Sequence, residues 1–478
     1  TRAREILTEL MPVLLQSLGK TAQPDAAFLK FDEFLAHLPA GIQLFSMFRN
    51  NPQLLTLVAG IMGDAPRLAE HLSRRPSTLD SVLTNDFFET PPGLENLKAE
   101  LTAVLERTDT VEELLDASRR WANDRRFQIG VQMLQGFLKP EDAALAQSNI
   151  ADAAISALYP RIAEVFVEQH GSIEQSDIVI IAMGKMGGRE MTATSDLDLI
   201  FLYDAPDSAE TSDGRKPLIV SQYFARLSQR MINALKAQTA KGTLYEVDMR
   251  LRPSGSSGPI ATNLEAFIRY HRENAWTWEH MALTRARVIY GTGNLTKRIE
   301  DIIQSTLTKP RDNDKLLIDV ATMRKRIEQE HHTKCLWAAK HFRGGLVDIE
   351  FLAQCLQLKY AYEHPNILDY NTASALIRLR DANLIESQQA EILLTALELW
   401  QATQSMLRLT LEGEVTNIAE DALPAGLQRS LANYCGFNDF DFLKETLTNR
   451  AKAVYDVFIQ LIENPAEDLA QSVKPKQN

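Results

Sequence analysis

Asp196 and Asp198 stand one residue apart at the head of a short apolar run, and a third acid, Asp248, lies farther along in Tyr245-Glu-Val-Asp-Met-Arg-Leu-Arg252. Side chains alternate along a strand, so the first two carboxylates would leave the same face. They repel there unless a cation lies between them. Hard oxygen ligands in such a pair suit Mg²⁺, which takes one or two carboxylates plus substrate phosphates. If the strand bearing Asp248 lies beside the first, three acids could hold two metal ions that clamp both oxygens of an in-line phosphoryl displacement. Just upstream runs Gly184-Lys-Met-Gly-Gly-Arg-Glu190. Gly184 would let backbone approach a phosphate, and Lys185 offers charge to a triphosphate. Arg250 and Arg252 flank the third acid and could neutralise a departing pyrophosphate. Asp196, Asp198 and Asp248 are therefore the candidate catalytic and metal residues. Gly184, Lys185, Ser195, Arg250 and Arg252 are the candidate nucleotide contacts. Each piece alone is weak: Asp-x-Asp is commonly a solvated turn, and Gly184-Lys-Met-Gly187 is neither a dinucleotide fingerprint nor a Walker loop.

The elements that must position these residues follow from pattern. Asp177–Met183 is a β-branched run with the length of a buried strand, and Leu197–Tyr203 is a second. Val220, Phe224, Leu227, Met231 and Leu235 step by three and four, as an amphipathic helix does. Leu244–Leu251 alternates imperfectly as a third strand, ended by the flexible Pro253-Ser-Gly-Ser-Ser-Gly258. Helical periodicity fills both flanks, strongest over Ser387–Leu411 and broken at Pro91-Pro92-Gly93. The expected fold is mostly α with a small α/β insert. Its expected divisions are a helical N-terminal region (1–170), the α/β core (171–262), a helical extension of the core (263–330), a C-terminal helical bundle (331–465) and a disordered tail (466–478).

Composition narrows the function classes. Lys and Arg number 51 against 63 Asp and Glu, a net charge of −12, which argues against a dedicated nucleic-acid binder. Cys335, Cys355 and Cys435 show no ligand or disulfide spacing and suit a reduced, cytoplasmic setting. Apolar stretches such as Ile178–Met183 are too short to span a bilayer, and no basic-then-apolar leader opens the chain.

The order strand, Gly-Lys, Asp-x-Asp on a second strand, helix, then a strand with a third acid resembles the nucleotidyltransferase superfamily typified by DNA polymerase β, with Lys185 where that pattern has Ser. The flanks resemble one family within it. Gly184-Lys-Met-Gly-Gly-Arg-Glu190, Ser195-Asp-Leu-Asp-Leu-Ile-Phe201 and Val247-Asp-Met-Arg-Leu-Arg-Pro253 are similar to the glutamine synthetase adenylyltransferase (glutamate–ammonia-ligase adenylyltransferase) family. So are Ala275-Trp-Thr-Trp-Glu-His280, Arg285-Ala-Arg287 and Gly344-Gly-Leu-Val-Asp-Ile-Glu-Phe351. Members carry two similar halves, one attaching AMP to glutamine synthetase and one removing it by phosphorolysis. One copy of the motif set, in a chain that begins at Thr1, reads as one half. Tyr245-Glu-Val-Asp248 and Arg252-Pro-Ser-Gly255 resemble the attaching half.

The resemblance implies a polymerase-β-like core that transfers AMP from ATP to a tyrosine of glutamine synthetase, releasing pyrophosphate and lowering the target's activity in nitrogen metabolism. It implies two Mg²⁺ ions, held by Asp196, Asp198 and Asp248, with the PII signal protein and glutamine as regulators and no membrane or nucleic-acid partner. The phosphorolytic removing half and a non-catalytic regulator-binding module are the competing readings. Trp276, Trp278, Glu279, Arg285 and Arg287 fall on expected helices, either as a wall of the site or as a packed helix with a structural Arg–Glu pair. Gly344, Gly345, Asp348 and Glu350 read as a cap on the site, a partner contact or packing. His331 and His332 beside Glu330 read as an exposed helix end, and Arg119, Arg120, Arg125 and Arg126 as a solvated face.

Overall fold

A computed structural model describes residues 2–21, 23–36, 41–331, 333, 335–411 and 423–472. Helices dominate, and a small mixed sheet sits between them: β1 (Asp177–Ala182), β2 (Leu197–Asp204), β3 (Val247–Asp248), β4 (Ala261–Asn263) and β5 (Arg287–Gly291). β1 and β2 pair antiparallel from Asp177↔Asp204 to Ala182↔Leu199, and every residue of β1 after Asp177 is buried. Such continuous burial explains why β1 reads as an unbroken apolar run rather than an alternating one. β5 covers the other edge of β1. Along its own free edge β2 pairs in parallel with β3 at its start and with β4 farther on.

Three expectations are corrected here. The third strand shrinks to Val247–Asp248, because Arg252 folds the following chain into a knot by donating to the carbonyls of Met249, Ser256, Gly258 and Pro259. Within the stretch expected to be helical after 262, residues Arg287–Gly291 form β5, so the sheet draws on chain beyond that point. The tail expected from 466 is helical across Asn464–Ser472, and 473–478 lie outside the described residues.

The helix Val220–Lys236 lays Tyr223, Phe224, Leu227, Met231 and Leu235 on the sheet, with Phe224 stacked on Tyr203 at 4.3 Å between ring centroids. Behind β5 runs the 31-residue helix Pro140–His170, where Tyr159 meets Tyr290 at 4.6 Å. The basic stretch of the preceding helix, Val111–Leu134, is only partly a solvated face. Arg120 is exposed, but Arg119 is fully buried and donates to the carbonyls of Leu115, Ala234 and Gly242 at 2.9–3.0 Å. Arg126 likewise donates to the Leu244 carbonyl and lies over the Tyr245 ring. A buried guanidinium demands this full set of acceptors. The C-terminal helices Leu346–Tyr360 and Ser387–Thr410 are largely buried and pack with Phe440–Phe458 as part of one continuous core. There the buried Asp348 takes Arg324 and Arg343, so the Gly344–Asp348 motif is a packing node.

Candidate functional site

Asp198 and Asp248 are register partners on the parallel pair β2–β3, so their side chains leave one face of the sheet side by side. Asp196 is exposed one residue before β2 begins. The three acids therefore meet at one sheet end. Burial, then the charges of Asp248 and Asp196, push the Asp198 carboxyl up to about 6, while Lys340 and Arg285 act against the rise. Burial also works to raise Asp248, but hydrogen bonds from Arg250 outweigh it and hold that acid below its ordinary range. Arg250 donates through its backbone N–H and its Nε, each at 2.8 Å, while its own side chain is 81% exposed.

The glycine run serves this edge by steric necessity. Gly184 has φ +53°, and a Cβ there would stand 2.3 Å from Asp198 Oδ2. Only glycine combines that backbone with that approach. Gly187 is pressed from below, since a Cβ on it would lie 1.9 Å from the Arg285 carbonyl oxygen.

Gly184, Asp196, Asp198, Asp248 and Arg250 are thus brought together. Lys185, Ser195 and Arg252 are placed otherwise. Lys185 is half-buried and donates its Nζ to Gln404 on the helix Ser387–Thr410. Burial, opposed by Glu350 and reinforced by Lys340, Arg285 and Arg408, brings its pKa down to about 8. The Ser195 hydroxyl closes the turn before β2 by accepting from the Thr192 N–H at 2.9 Å. Arg252 spends its donors on the carbonyls named above.

Sequence reasoning missed the pedestal beneath the turn. Arg285, expected on a helix, lies in the connection to β5, and Arg287 is on the strand itself. Arg285 is buried between Glu190 at 2.5 Å and Glu350 at 3.2 Å. Arg287 takes both oxygens of buried Asp152, at 2.7 and 3.0 Å, and donates to the carbonyls of Met186 and Gly187. Glu190 also accepts the Thr372 N–H at 2.8 Å, joining the turn to the C-terminal helices. The available signal was the Arg-x-Arg spacing, which puts two guanidiniums on one side of an extended chain. Glu279, the partner that spacing suggests, instead accepts from the Tyr270 hydroxyl and the Trp276 N–H. Trp276 is 70% exposed and Trp278 38%. His331 stacks on His341 at 3.7 Å, while His332 lies outside the described residues.

The family model of glutamate-ammonia ligase adenylyltransferase matches residues 55–302, which include all three acids and both pedestal arginines. The chain belongs to this family. The GlnD PII-uridylyltransferase model matches residues 319–462, the C-terminal helices. The bifunctional glutamine synthetase adenylyltransferase/adenylyl-removing enzyme of Xanthobacter autotrophicus is 42% identical over 97% of this chain and 47% of its own length. Its counterpart in Mesorhizobium japonicum is 43% identical over 96% of this chain and 46% of its own. The chain spans about half the length of the curated relatives it matches.

Whether this family member's acids suit a divalent cation can be judged from their surroundings. Among the described residues no three acidic, His or Cys side chains close up as a complete metal cage. Two adjacent carboxylates, Asp198 raised in part by the charge of Asp248 and Asp248 carrying the exposed Arg250, are nevertheless a hard-oxygen donor pair. That is the partial set Mg²⁺ uses when phosphates complete its shell. No helix of the described residues is long and apolar enough to cross a membrane.

Proposed function

We propose that this chain transfers AMP from ATP to a tyrosine hydroxyl of glutamine synthetase, releasing pyrophosphate. The observation that carries the proposal is the register pair Asp198↔Asp248, with Asp196 just ahead of it and Gly184 packed on the Asp198 carboxylate. Asp196, Asp198 and Asp248 would hold Mg²⁺, which when bound neutralises triphosphate charge and favours the ionised form of a coordinated hydroxyl. The chain's own residues do the rest. The Gly184 turn fixes one side of the Asp198 carboxylate, so the donor pair is set before the nucleotide arrives. Arg250 sits on Asp248 and, on leaving it, can follow the departing pyrophosphate. Burial of the Asp198 side of the cleft strengthens every one of these charge interactions. Catalysis here is positioning and charge neutralisation, with little covalent work for the protein to do.

The match to a bifunctional relative over half its length leaves two partial reactions to choose between. The flanks of the third acid, Tyr245-Glu-Val-Asp248 and Arg252-Pro-Ser-Gly255, favour attachment over removal. The PII signal protein and glutamine are the proposed regulators, and the match of residues 319–462 to the GlnD PII-uridylyltransferase model supports a helical C-terminal unit shared with that chemistry. A cytoplasmic location is part of the same proposal.

The test incubates the chain with α-³²P-ATP, Mg²⁺ and unmodified glutamine synthetase, beside an Asp196→Asn control. Label on the synthetase that vanishes in the control supports attachment. Failure to label, with phosphate-dependent release of AMP as ADP from pre-labelled synthetase, assigns the removing reaction instead.

A further inference from the structure

A polar cleft of about 310 Å³ opens among the N-terminal helices, and no residue of the carboxylate edge lines it. Its size falls within the range of small-ligand pockets, roughly 300–1,000 Å³. The walls come from the end of the helix Pro66–Arg74, from the helices Leu94–Leu105 and Val111–Leu134, and from the short turns between them. Two ion pairs lie in it: Arg75 with Asp124, and Arg125 with Glu100 at 2.5 Å. All four side chains are between 27 and 40% exposed, so a ligand can take the place of either partner. The buried indole N–H of Trp121, on the same walls, has no acceptor among the described residues. Asp124 Oδ1 receives no hydrogen bond there either, although His71 Nε2 stands 3.4 Å off. The walls therefore hold a donor and an acceptor that the chain leaves unused, which is uncommon for buried polar atoms.

The charges of the lining select the class of ligand. Two guanidiniums, Arg75 and Arg125, share the cleft with three carboxylates, Asp86, Glu100 and Asp124. A plain anion would meet the acids and a plain cation the arginines. A molecule carrying both an ammonium and a carboxylate satisfies each kind. The helix Val111–Leu134 then links this cleft to the sheet. At about 100° per residue, Trp121, Asp124, Arg125 and Gln128 share one face, and Arg119, Asn123 and Arg126 lie on the opposite one. From that opposite face Arg119 donates to the carbonyls of Ala234 and Gly242, Asn123 to that of Lys241, and Arg126 to that of Leu244. Leu244 stands four residues before Asp248. One helix is thus both a wall of the cleft and a brace on the segment that delivers the third acid.

We infer that this cleft binds a small zwitterion of the free α-amino-acid class, and that its occupancy is felt at Asp248 through the helix Val111–Leu134. The carboxylate of the ligand meets Arg75 and Arg125, and its ammonium meets Asp124 and Glu100. Binding stands on the cleft alone, whereas the effect on rate rests on the AMP-transfer reading. An occupant that draws Asp124 and Arg125 toward itself acts on transfer by preferring one setting of the brace over another.

Calorimetric titration of the full chain with L-alanine, L-glutamate and L-glutamine tests the site, and AMP transfer with and without each of them tests the coupling. Two half-molecules serve as controls: 4-carbamoylbutanoate, which lacks the ammonium, and 4-aminobutanamide, which lacks the carboxylate. At least one amino acid should bind, and the half-molecules should bind roughly tenfold more weakly or worse, as loss of a charged hydrogen bond requires. Asp124→Asn and Arg125→Gln should each weaken amino-acid binding by about the same factor. Ser77→Phe, which fills the cleft from an exposed position without removing a charge, should abolish binding with the melting temperature held. Arg126→Lys should bind as wild type does but lose most of the rate response. Binding of none of the three amino acids, or binding undiminished in Asp124→Asn, Arg125→Gln and Ser77→Phe, overturns the site. Binding that leaves the rate of an active chain unchanged overturns the coupling. A chain that transfers no AMP under any of these conditions overturns the AMP-transfer reading, and the calorimetry still decides the site.

Discussion

Two charged regions lie back to back at one end of the sheet, and they are built on opposite terms. On the carboxylate edge, Asp196, Asp198 and Asp248 bring like charges together, and Asp198 is pushed up to about 6 by burial and by its neighbours. On the pedestal, Arg285 and Arg287 are as deeply placed, but each meets carboxylates, with Glu190 and Glu350 on one and both oxygens of Asp152 on the other. Charge in the pedestal is satisfied within the chain, so its role ends in holding the Gly184 turn. Charge on the edge is left for something else to satisfy. The difference separates a scaffold from a site more sharply than residue type does, because both are runs of charged residues around glycine.

The largest expected effect tests the edge directly. Asp198→Asn should reduce AMP transfer by about a thousandfold, the order seen when a group that stabilises the transition state is removed. The same substitution should raise the melting temperature above pH 6. A carboxyl whose folded pKa exceeds its unfolded value takes up protons on folding between the two, so its ionised form costs stability, fully so above the folded pKa. Removing the charge removes that cost. Transfer near the wild-type rate, or a melting temperature that falls, would contradict the reading of the edge as an unsatisfied site.

Arg285→Met should do the reverse and lower stability by about 3–5 kcal/mol, the range for breaking a buried ion pair by deleting one partner. Glu190 and Glu350 would then share a dry space without their cation. Urea denaturation with near-unchanged midpoint would show the pedestal to be dispensable. A smaller, mixed effect is expected at Gly184→Ala, where the added methyl must push Asp198 aside from 2.3 Å. Left-handed backbone costs a non-glycine residue about 1–2 kcal/mol. A shift of about 1 Å in a reacting group costs on the order of a hundredfold in rate, so kcat should fall more than ATP affinity.

Legibility followed the same division. β1, β2 and the helix Val220–Lys236 could be read because each carries its signal, an apolar run or a helical period, within its own residues. The acid pair could be read because strand alternation is local, and Asp248 because a third acid on a neighbouring strand needs only one register. β4 and β5 could not be read. They have three and five residues, too few to alternate visibly, and exist because β2 and β1 offer them an edge. The partners of Arg285 and Arg287 lie 95 and 135 residues away, so no window along the chain contains them. The Gln404 contact of Lys185 could not be read for a related reason. Its position beside Gly184 suggested a phosphate, yet its partner is on a helix 219 residues on.

Lys185 therefore stands on the border between the two regions, and it gives the finest test of the comparison. Its folded pKa of about 8 lies below the ordinary 10.5, so the unfolded chain binds more protons between those values. Stability must then rise with pH from about 8 to 10.5, while below 8 the full cost of burying the ammonium is felt. Lys185→Met removes that cost, and should raise the melting temperature by roughly 2 °C at pH 7, with the gain fading toward pH 10. If Lys185 belongs to the scaffold, AMP transfer in Lys185→Met should stay within a few-fold of wild type. A large loss of ATP affinity with no gain in stability would move Lys185 to the other side, as a cation that leaves Gln404 when the triphosphate enters.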